Sequence, residues 1–305
     1  MKIKSVFAAC VSATALLSAS PALADDHLLD TVEELPSGPE GPALWKVSDE
    51  DTTIYLFGTV HVLPSDLVWY DAEIDQALSA SDTIVTEIAM DPATEAKQQM
   101  LAQQKGVFTN GTTLRSLLNE EQRVAYESAL ARLGVPASSF DPLEPWLTTL
   151  TLTFLPLMQQ GYDPASGVEK VILSKAGEQS LAALETIEFQ LDMFDSMPME
   201  KQVTFMMEAV EAMPEVKATL DGMVERWAEG DADGLAVLMN EDLADPVLAD
   251  TLLYSRNENW AEWIEDRLES TPGTVFMAVG AGHLAGKQSV QDYLVERGIQ
   301  SERVQ

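Results

Sequence analysis

Segments typical of β-strands lie near the two ends of this chain, and helical patterns fill most of the sequence between them. Near the N-terminus, "ALWKVS" and "TIYLFG" flank an acidic turn and predict a β-hairpin, and "DTIVTEI" predicts a short buried strand. Near the C-terminus, "GTVFMAVG" predicts a further strand, and "IQSERVQ" a last one. Because strands must pair their backbone groups, the two ends are expected to share a mixed β-sheet in one α+β domain.

The middle segment, about residues 92–265, is predicted to form a large helical cap inserted into this domain. In "NEEQRVAYESALARLGVP", Asn119 is placed to cap a helix, the apolar residues follow helical spacing, and Gly134 ends the pattern. The segment "SLAALET" leaves open whether it begins as a strand or as a helix. Before the cap, residues 65–81 predict a helix after a Ser/Asp cap. We predict a single domain over residues 42–305.

Residues 1–24 predict a cleaved secretory signal peptide. Two lysines precede a short run of small and apolar residues, and "ALA" at its end matches a signal-peptidase site, with cleavage near Ala24. Residues 25–41 are acidic and rich in proline and glycine, which predicts a flexible leader. These features predict a periplasmic or secreted protein without a membrane span in the mature chain. The one cysteine, Cys10, lies in the signal, so cysteine chemistry is excluded from the mature protein.

The charge of the chain restricts its partners. Fifty acidic residues stand against 18 basic ones, for a formal net charge of -32. Such a surface repels the phosphates of nucleic acid and of anionic lipid, so neither is an expected partner. The sequence makes no prediction of the oligomeric state.

One short pattern follows two of the predicted strands. In "IYLFGTVHV" and "FMAVGAGHL", a glycine ends an apolar strand and a histidine comes three residues later, which gives His61 and His283. The glycine permits a sharp turn, and the histidine then lies at the carboxyl edge of the sheet, where ligand sites of α/β folds open. Two of the three histidines in the chain occupy these matching positions, which favours a shared functional site.

The doubled G-x-x-H pattern resembles the TraB/GumN family, which includes bacterial GumN-type proteins, pheromone-shutdown proteins and the animal Tiki proteins. The resemblance runs from about residue 42 to residue 303. It includes, in the order of the family, "LWKV", "LFGTVH", "TEI", "GVEKVILSKA", "LAALETIEFQL", "RNENW" and "AVGAGHL". It implies a metal-dependent hydrolase scaffold, with peptidase activity attributed to the Tiki branch and hence a peptide or protein as substrate.

The resemblance also implies a site composed of His61, Glu87, Arg256, Asn257 and His283. Two imidazoles and one carboxylate, from His61, Glu87 and His283, would leave an open position on a divalent metal such as Zn, Mn, Co or Fe, and that metal would activate water. Arg256 and Asn257 would then hold a substrate carboxylate or a developing oxyanion. By chemistry alone, Glu87 is equally an exposed carboxylate at a strand end and Arg256 equally a member of a surface ion pair.

Three functions are compatible with these residues. The favoured one is an extracytoplasmic metal-dependent hydrolase with peptidase-like activity. An esterase-like hydrolase without metal is the first alternative: a motif histidine acts as general base, Glu87 orients it, and water attacks directly because no G-x-S-x-G nucleophile motif is present. A non-catalytic protein that binds a peptide, a metal or a metal-bearing cofactor in the same cleft is the second.

A separate metal site is predicted at the new N-terminus. Cleavage after Ala24 would expose Asp25, Asp26 and His27. The terminal amine, two backbone amides and the imidazole of His27 can surround Cu(II) or Ni(II) in a square plane. The alternative is a passive histidine in a flexible leader.

Overall fold

A computed structural model of the protein describes residues 41–240 and 246–305. The predicted signal peptide, the leader up to residue 40 and the possible copper site at His27 lie outside the described residues. The strands are β1 (Leu44–Ser48), β2 (Thr52–Thr59), β3 (Leu63–Pro64), β4 (Thr83–Thr86), β5 (Tyr162–Asp163), β6 (Ser180–Ala183), β7 (Gly273–Gly280) and β8 (Glu302–Arg303).

The helices occupy the segments between the strands. They are α1 (Ala72–Ser79), α2 (Pro92–Lys105), α3 (Glu120–Arg132), α4 (Pro145–Gln159), α5 (Val168–Ser174), α6 (Ile187–Asp195), α7 (Met199–Ala212), α8 (Val216–Ala228), α9 (Ala232–Asn240), α10 (Pro246–Ala249), α11 (Ser255–Ser270) and α12 (Val290–Glu296). Within the described ranges, none of these helices has both the length and the apolar character needed to cross a membrane.

Six strands form one mixed sheet in the order β6-β4-β7-β2-β1-β8. β6, β4, β7 and β2 run parallel to one another, and β1 is antiparallel to both β2 and β8. The predicted β1–β2 hairpin and the α+β architecture with a mixed sheet are therefore confirmed. A separate two-stranded ladder joins β3 to β5.

The middle segment is not wholly helical, because β6 lies within it and forms one edge of the main sheet. β6 pairs in parallel with β4, from Ser180 opposite Thr83 to Ala183 opposite Thr86. Its sequence, "SLAA", has weak strand propensity, so pairing with β4 outweighs local preference. The strand alternative for "SLAALET" is the one that the structure adopts, and the segment after β6 thereby reaches the carboxyl edge of the sheet.

Alternating residues of the central strands supply two cores. Phe57 and Phe276 face a cluster that includes residues of α1, α4, α6 and α8, whereas Leu56 and Met277 face a second cluster built on α11 and α12. All four side chains are completely buried. The sheet is therefore covered on both faces, and a ligand can approach the parallel strands at their ends.

Two of the predicted helices show how local signals compare with tertiary packing. Asn119 caps α3 as predicted: its Oδ1 accepts from the Gln122 amide at 2.9 Å, and Gly134 beyond the helix has a φ of +71°. The helix predicted from residue 65 begins only at Ala72, with Asp71 as its cap. Trp69 instead lies in the preceding loop, where its ring packs on Phe57 and Trp227 in the core.

Candidate functional site

Four chemically active side chains follow the carboxyl ends of four adjacent parallel strands. His61 follows β2, Glu87 follows β4, Glu185 follows β6 and His283 follows β7. The two G-x-x-H segments are direct neighbours, because Thr59 at the end of β2 pairs with Gly280 at the end of β7. The sheet therefore brings groups from both ends of the sequence to one edge.

Arg256, on α11, lies at the centre of this edge and has all of its donors engaged. Its Nη2 donates to Glu87 Oε2 at 2.6 Å and to Glu185 Oε2 at 2.9 Å, and its Nε donates to Glu185 Oε1 at 2.7 Å. Its Nη1 donates to the Leu252 carbonyl at 2.9 Å and to His283 Nε2 at 3.1 Å. An arginine has five N–H groups, and these contacts use all of them. In this arrangement Arg256 holds protein groups and has no donor left for a substrate.

The two carboxylates around Arg256 are buried and hydrogen-bonded by further groups. Glu87 Oε1 accepts from the Gly280 amide at 2.7 Å, and Gln190 Nε2 donates to both carboxylates at 3.0 Å. Trp260 Nε1 donates to Glu185 at 3.1 Å. Burial by itself would lower the pKa of Arg256, but the charges and hydrogen bonds of Glu87 and Glu185 outweigh it and raise that pKa. We call this set of side chains the arginine network.

Asn257, the next residue on α11, holds the second motif histidine. Its Oδ1 accepts from His283 Nδ1 at 2.5 Å, and its Nδ2 donates to the Gln288 carbonyl at 2.7 Å. The Trp260 ring packs on the imidazole with 4.3 Å between ring centroids. A π-helical turn, Asp250–Tyr254, comes immediately before α11, and such turns occur frequently at functional sites.

His283 is a neutral imidazole. With Arg256 donating to Nε2, the ring proton is on Nδ1 and points to Asn257. Complete burial, the nearby guanidinium of Arg256 and the charge that His61 carries when it is protonated place the pKa of His283 well below its ordinary value of 6.5. A protonated ring would also have to give up its contact with Arg256.

This burial makes stability depend on pH. Below about pH 6.5 an unfolded chain protonates this imidazole while the folded protein does not, so the free energy of unfolding is expected to fall as the pH drops from 6.5 to 5. One proton contributes a slope of up to about 1.4 kcal/mol per pH unit. Urea unfolding at several pH values measures that slope, and His283→Gln is expected to reduce it. Equal slopes in the two proteins would contradict the assignment of His283 as a buried neutral ring.

The first motif histidine has a different partner. The Nδ1 of His61 is paired with Oε1 of Glu169 on α5, and the hydroxyl of Thr59 donates to the same oxygen at 2.7 Å. Burial alone would raise the pKa of Glu169, but the charge that His61 carries when it is protonated, together with the hydrogen bonds from His61 and Thr59, holds it below its ordinary value. Glu169 is therefore an ionised carboxylate. Among the described residues, the Nε2 of His61 has no hydrogen-bond partner, although it is buried.

Close backbone packing fixes Glu169 against His61. The Val168 amide, at the start of α5, donates to the Val60 carbonyl at 3.0 Å. A Cβ on Gly167 would lie 2.2 Å from the His61 carbonyl oxygen, so only glycine permits this approach. The geometry of the His61–Glu169 pair is thus set by the backbone on both sides.

A small pocket opens beside this pair, and the centre of a water-sized molecule has about 50 Å³ of room in it. It lies between the loop after β4, the N-terminal half of α2 and the start of α5. Its lining residues are His61, Thr86, Glu87, Ile88, Ala89, Met90, Thr94, Glu95, Gln98, Glu169, Lys170 and Gln190. His61 and Glu87 therefore share one pocket, whereas Arg256 is completely buried behind it.

The predicted metal ligands can be compared with this geometry. Arg256 donates to Glu87 and to His283, so a positive charge already contacts two of the three predicted ligands, and His61 is paired with Glu169. Within the described residues, no group of three or more His, Cys, Asp or Glu side chains is arranged to hold a metal. As arranged, His61, Glu87 and His283 do not fit one shared metal ion, since a second cation would be repelled by Arg256. The metal centre stays a prediction.

Sequence reasoning missed Glu169, Glu185 and Gln190. Glu169 and Gln190 lie within "GVEKVILSKA" and "LAALETIEFQL", and Glu185 follows β6 as Glu87 follows β4. The glycine before Val168 and Glu169 was the available signal, because a glycine beside a potential ligand carboxylate indicates close backbone approach. The carboxylate paired with His61 is that of Glu169, whereas Glu87 is engaged by Arg256.

Comparison with known proteins agrees with the resemblance in the motifs. The chain is 22% identical over 272 residues to an uncharacterized protein of Treponema pallidum (strain Nichols), an alignment that covers 84% of this chain and 80% of that protein. No solved structure matches. The model of the TraB/PrgY/gumN family matches residues 43–303, which is nearly all of the described part of the chain. The protein belongs to the TraB/PrgY/gumN family.

Proposed function

We propose that this protein is a hydrolase of acyl bonds in which His61 activates a water molecule and Glu169 orients His61. One observation carries the proposal: Nδ1 of His61 is fixed by an ionised carboxylate, while Nε2 is without a partner among the described residues and the ring lines a pocket. The partner on Nδ1 fixes the tautomer, which leaves the lone pair on Nε2. A buried base with an oriented ring is the arrangement that general-base catalysis requires.

The reaction proceeds in two steps on an ester or amide bound in the pocket. Nε2 of His61 takes a proton from water as the water oxygen attacks the acyl carbon, and the electron pair of the carbonyl moves to its oxygen. The pair then returns, the bond to the leaving group breaks, and the imidazolium donates its proton to that group. Glu169 stays ionised and stabilises the imidazolium, as the aspartate does in a Ser-His-Asp triad.

The arginine network supports the pocket from behind. Arg256 fixes Glu87, which lines the pocket, and Glu87 in turn holds the Gly280 amide at the end of β7. In this proposal Arg256 and Asn257 act on Glu87 and His283 and not on the substrate. The network thereby holds the end of β7, which pairs with the end of β2 just before His61.

The proposal also covers the class of substrate and the compartment in which the protein acts. Peptide bonds and esters share the acyl carbon that the mechanism needs, and a peptidase-like activity is the one implied by the family resemblance. Action outside the cytoplasm rests on the signal-like sequence of residues 1–24. A peptide or small acyl compound in the periplasm or the medium is therefore the proposed substrate.

Metal removal separates this mechanism from the metal-dependent one. In a His27→Ala background, which eliminates the predicted copper motif, hydrolysis of p-nitrophenyl acetate and of a mixture of unstructured peptides is expected to persist after chelator treatment. Rates are read by absorbance and by mass spectrometry, and metal content by elemental analysis. Loss of turnover that Zn, Mn or Co restores, with one equivalent of metal that disappears in His61→Ala/His283→Ala, would contradict the metal-free mechanism.

A further inference from the structure

A second lining residue of the pocket has a buried polar atom without a partner. Gln98, on α2, is 1% exposed, and within the described part of the chain its Nε2 makes no hydrogen bond. Native proteins pair nearly all buried polar groups, because an unpaired donor loses its hydration without compensation. Neither the fold nor the arginine network explains why a glutamine occupies this position.

The helix that carries Gln98 makes its position still more unusual. α2 is largely polar and buries only Gln98 and Ala102. Gln103 and Gln104 on the same helix are exposed, as glutamines generally are. An apolar side chain would satisfy the buried position without cost, so the amide at residue 98 indicates a requirement for a hydrogen bond that the protein itself does not meet.

The unpartnered atoms of these two lining residues, His61 and Gln98, are chemically complementary. Nε2 of His61 is an acceptor, which suits a proton taken from water, and Nε2 of Gln98 is a donor, which suits an oxygen that gains negative charge. Three further lining residues, Glu87, Glu169 and Gln190, already form hydrogen bonds to other protein groups. Acyl hydrolysis needs one group that accepts a proton from the attacking water and one group that donates a hydrogen bond to the acyl oxygen.

We propose that Gln98 is the substrate-binding donor of this site, and that its Nε2 binds the acyl oxygen of the substrate. This inference rests on the proposed function and names the chemistry that the pocket recognises: an ester or amide whose carbonyl oxygen reaches α2 while its carbon faces the water activated by His61. The hydrogen bond strengthens as the carbonyl electron pair moves onto that oxygen, so Gln98 stabilises the transition state more than the ground state.

The decisive variant is Gln98→Met, which keeps the approximate size of the side chain and removes the donor. Its kcat/KM on p-nitrophenyl acetate is expected to fall by about 10²-fold. Its Tm is expected to equal or exceed that of the wild type, because the unpaired donor is gone. Gln103→Ala, on the exposed side of the same helix, is the matched control and is expected to retain wild-type turnover. Wild-type turnover in Gln98→Met would overturn the inference.

A binding measurement keeps this inference separate from the proposed function. The probe is N-acetyl-alanine, which offers an acyl oxygen to Gln98 and a carboxylate to Lys170, a further lining residue. Saturable shifts of the Gln98 side-chain amide signals in NMR spectra, assigned by their absence in Gln98→Met, are expected both in wild type and in His61→Gln. Their absence would overturn the role of Gln98 even if hydrolysis depends on His61. Their presence without turnover would support that role and reject catalysis.

Discussion

Replacement of Arg256 by methionine is expected to lower the free energy of unfolding by about 3–5 kcal/mol, the range for a buried ion pair that loses one partner. The side chain is completely buried, and Glu87 and Glu185 are at most 8% exposed. Without the guanidinium, two neighbouring carboxylates would remain buried with no counter-charge. Urea unfolding followed by tryptophan fluorescence measures the change, and the Trp260 ring lies 4.8 Å from the guanidinium carbon.

Arg115 provides the matched control. Its guanidinium also contacts two carboxylates, Asp141 at 2.6 Å and Glu127 at 3.1 Å, but its side chain is 32% exposed. Arg115→Met is therefore expected to lower the free energy of unfolding far less than Arg256→Met does, since solvent screens such pairs. Adding Glu185→Gln to Arg256→Met is expected to regain part of the loss, because one uncompensated charge is removed. A loss below that of Arg115→Met would contradict a charge-stabilised network.

The parts of the fold that local pattern determines were predictable from sequence. The β1–β2 hairpin needs only two alternating segments and a turn, and α3 needs only Asn119, its apolar spacing and Gly134. β6 and the start of α1 depend on distant partners instead. β6 exists because β4 offers it an edge, and Trp69 lies in a loop because Phe57 and Trp227 bury its ring. Periodicity within a segment carries no information about such partners.

The candidate site also has parts that the local sequence predicts and parts that depend on distant partners. Two matching G-x-x-H segments indicated that His61 and His283 belong at one edge, since both follow apolar strands. Which carboxylate meets which histidine depends on how α5 and α11 cross that edge. Glu169 reaches His61 because Gly167 permits close packing, and Arg256 takes Glu87. Two histidines in equivalent sequence contexts thereby acquire different surroundings, one with a partner on a single nitrogen and one with partners on both.

Replacement of His61 by glutamine is expected to lower kcat/KM for p-nitrophenyl acetate by about 10²–10⁴-fold, the usual contribution of a general base. Glutamine is similar in length and polarity but accepts no proton from water at neutral pH. Glu169→Gln is expected to cost at least about tenfold, because the amide does not stabilise an imidazolium and can bind the wrong tautomer of the ring. Circular dichroism and Tm of each variant verify that the fold is intact.

His283→Gln decides whether the two motif histidines act together or separately. If His61 is a base held by Glu169, the loss in His283→Gln is expected to be far smaller than in His61→Gln, because both nitrogens of His283 contact Asn257 and Arg256. If the two histidines share a metal, each replacement removes one ligand and both are expected to abolish turnover alike. Equal losses of turnover in the two variants would therefore refute the assignment of different roles to His61 and His283. Unequal losses would locate the chemistry at His61 and a structural role at His283.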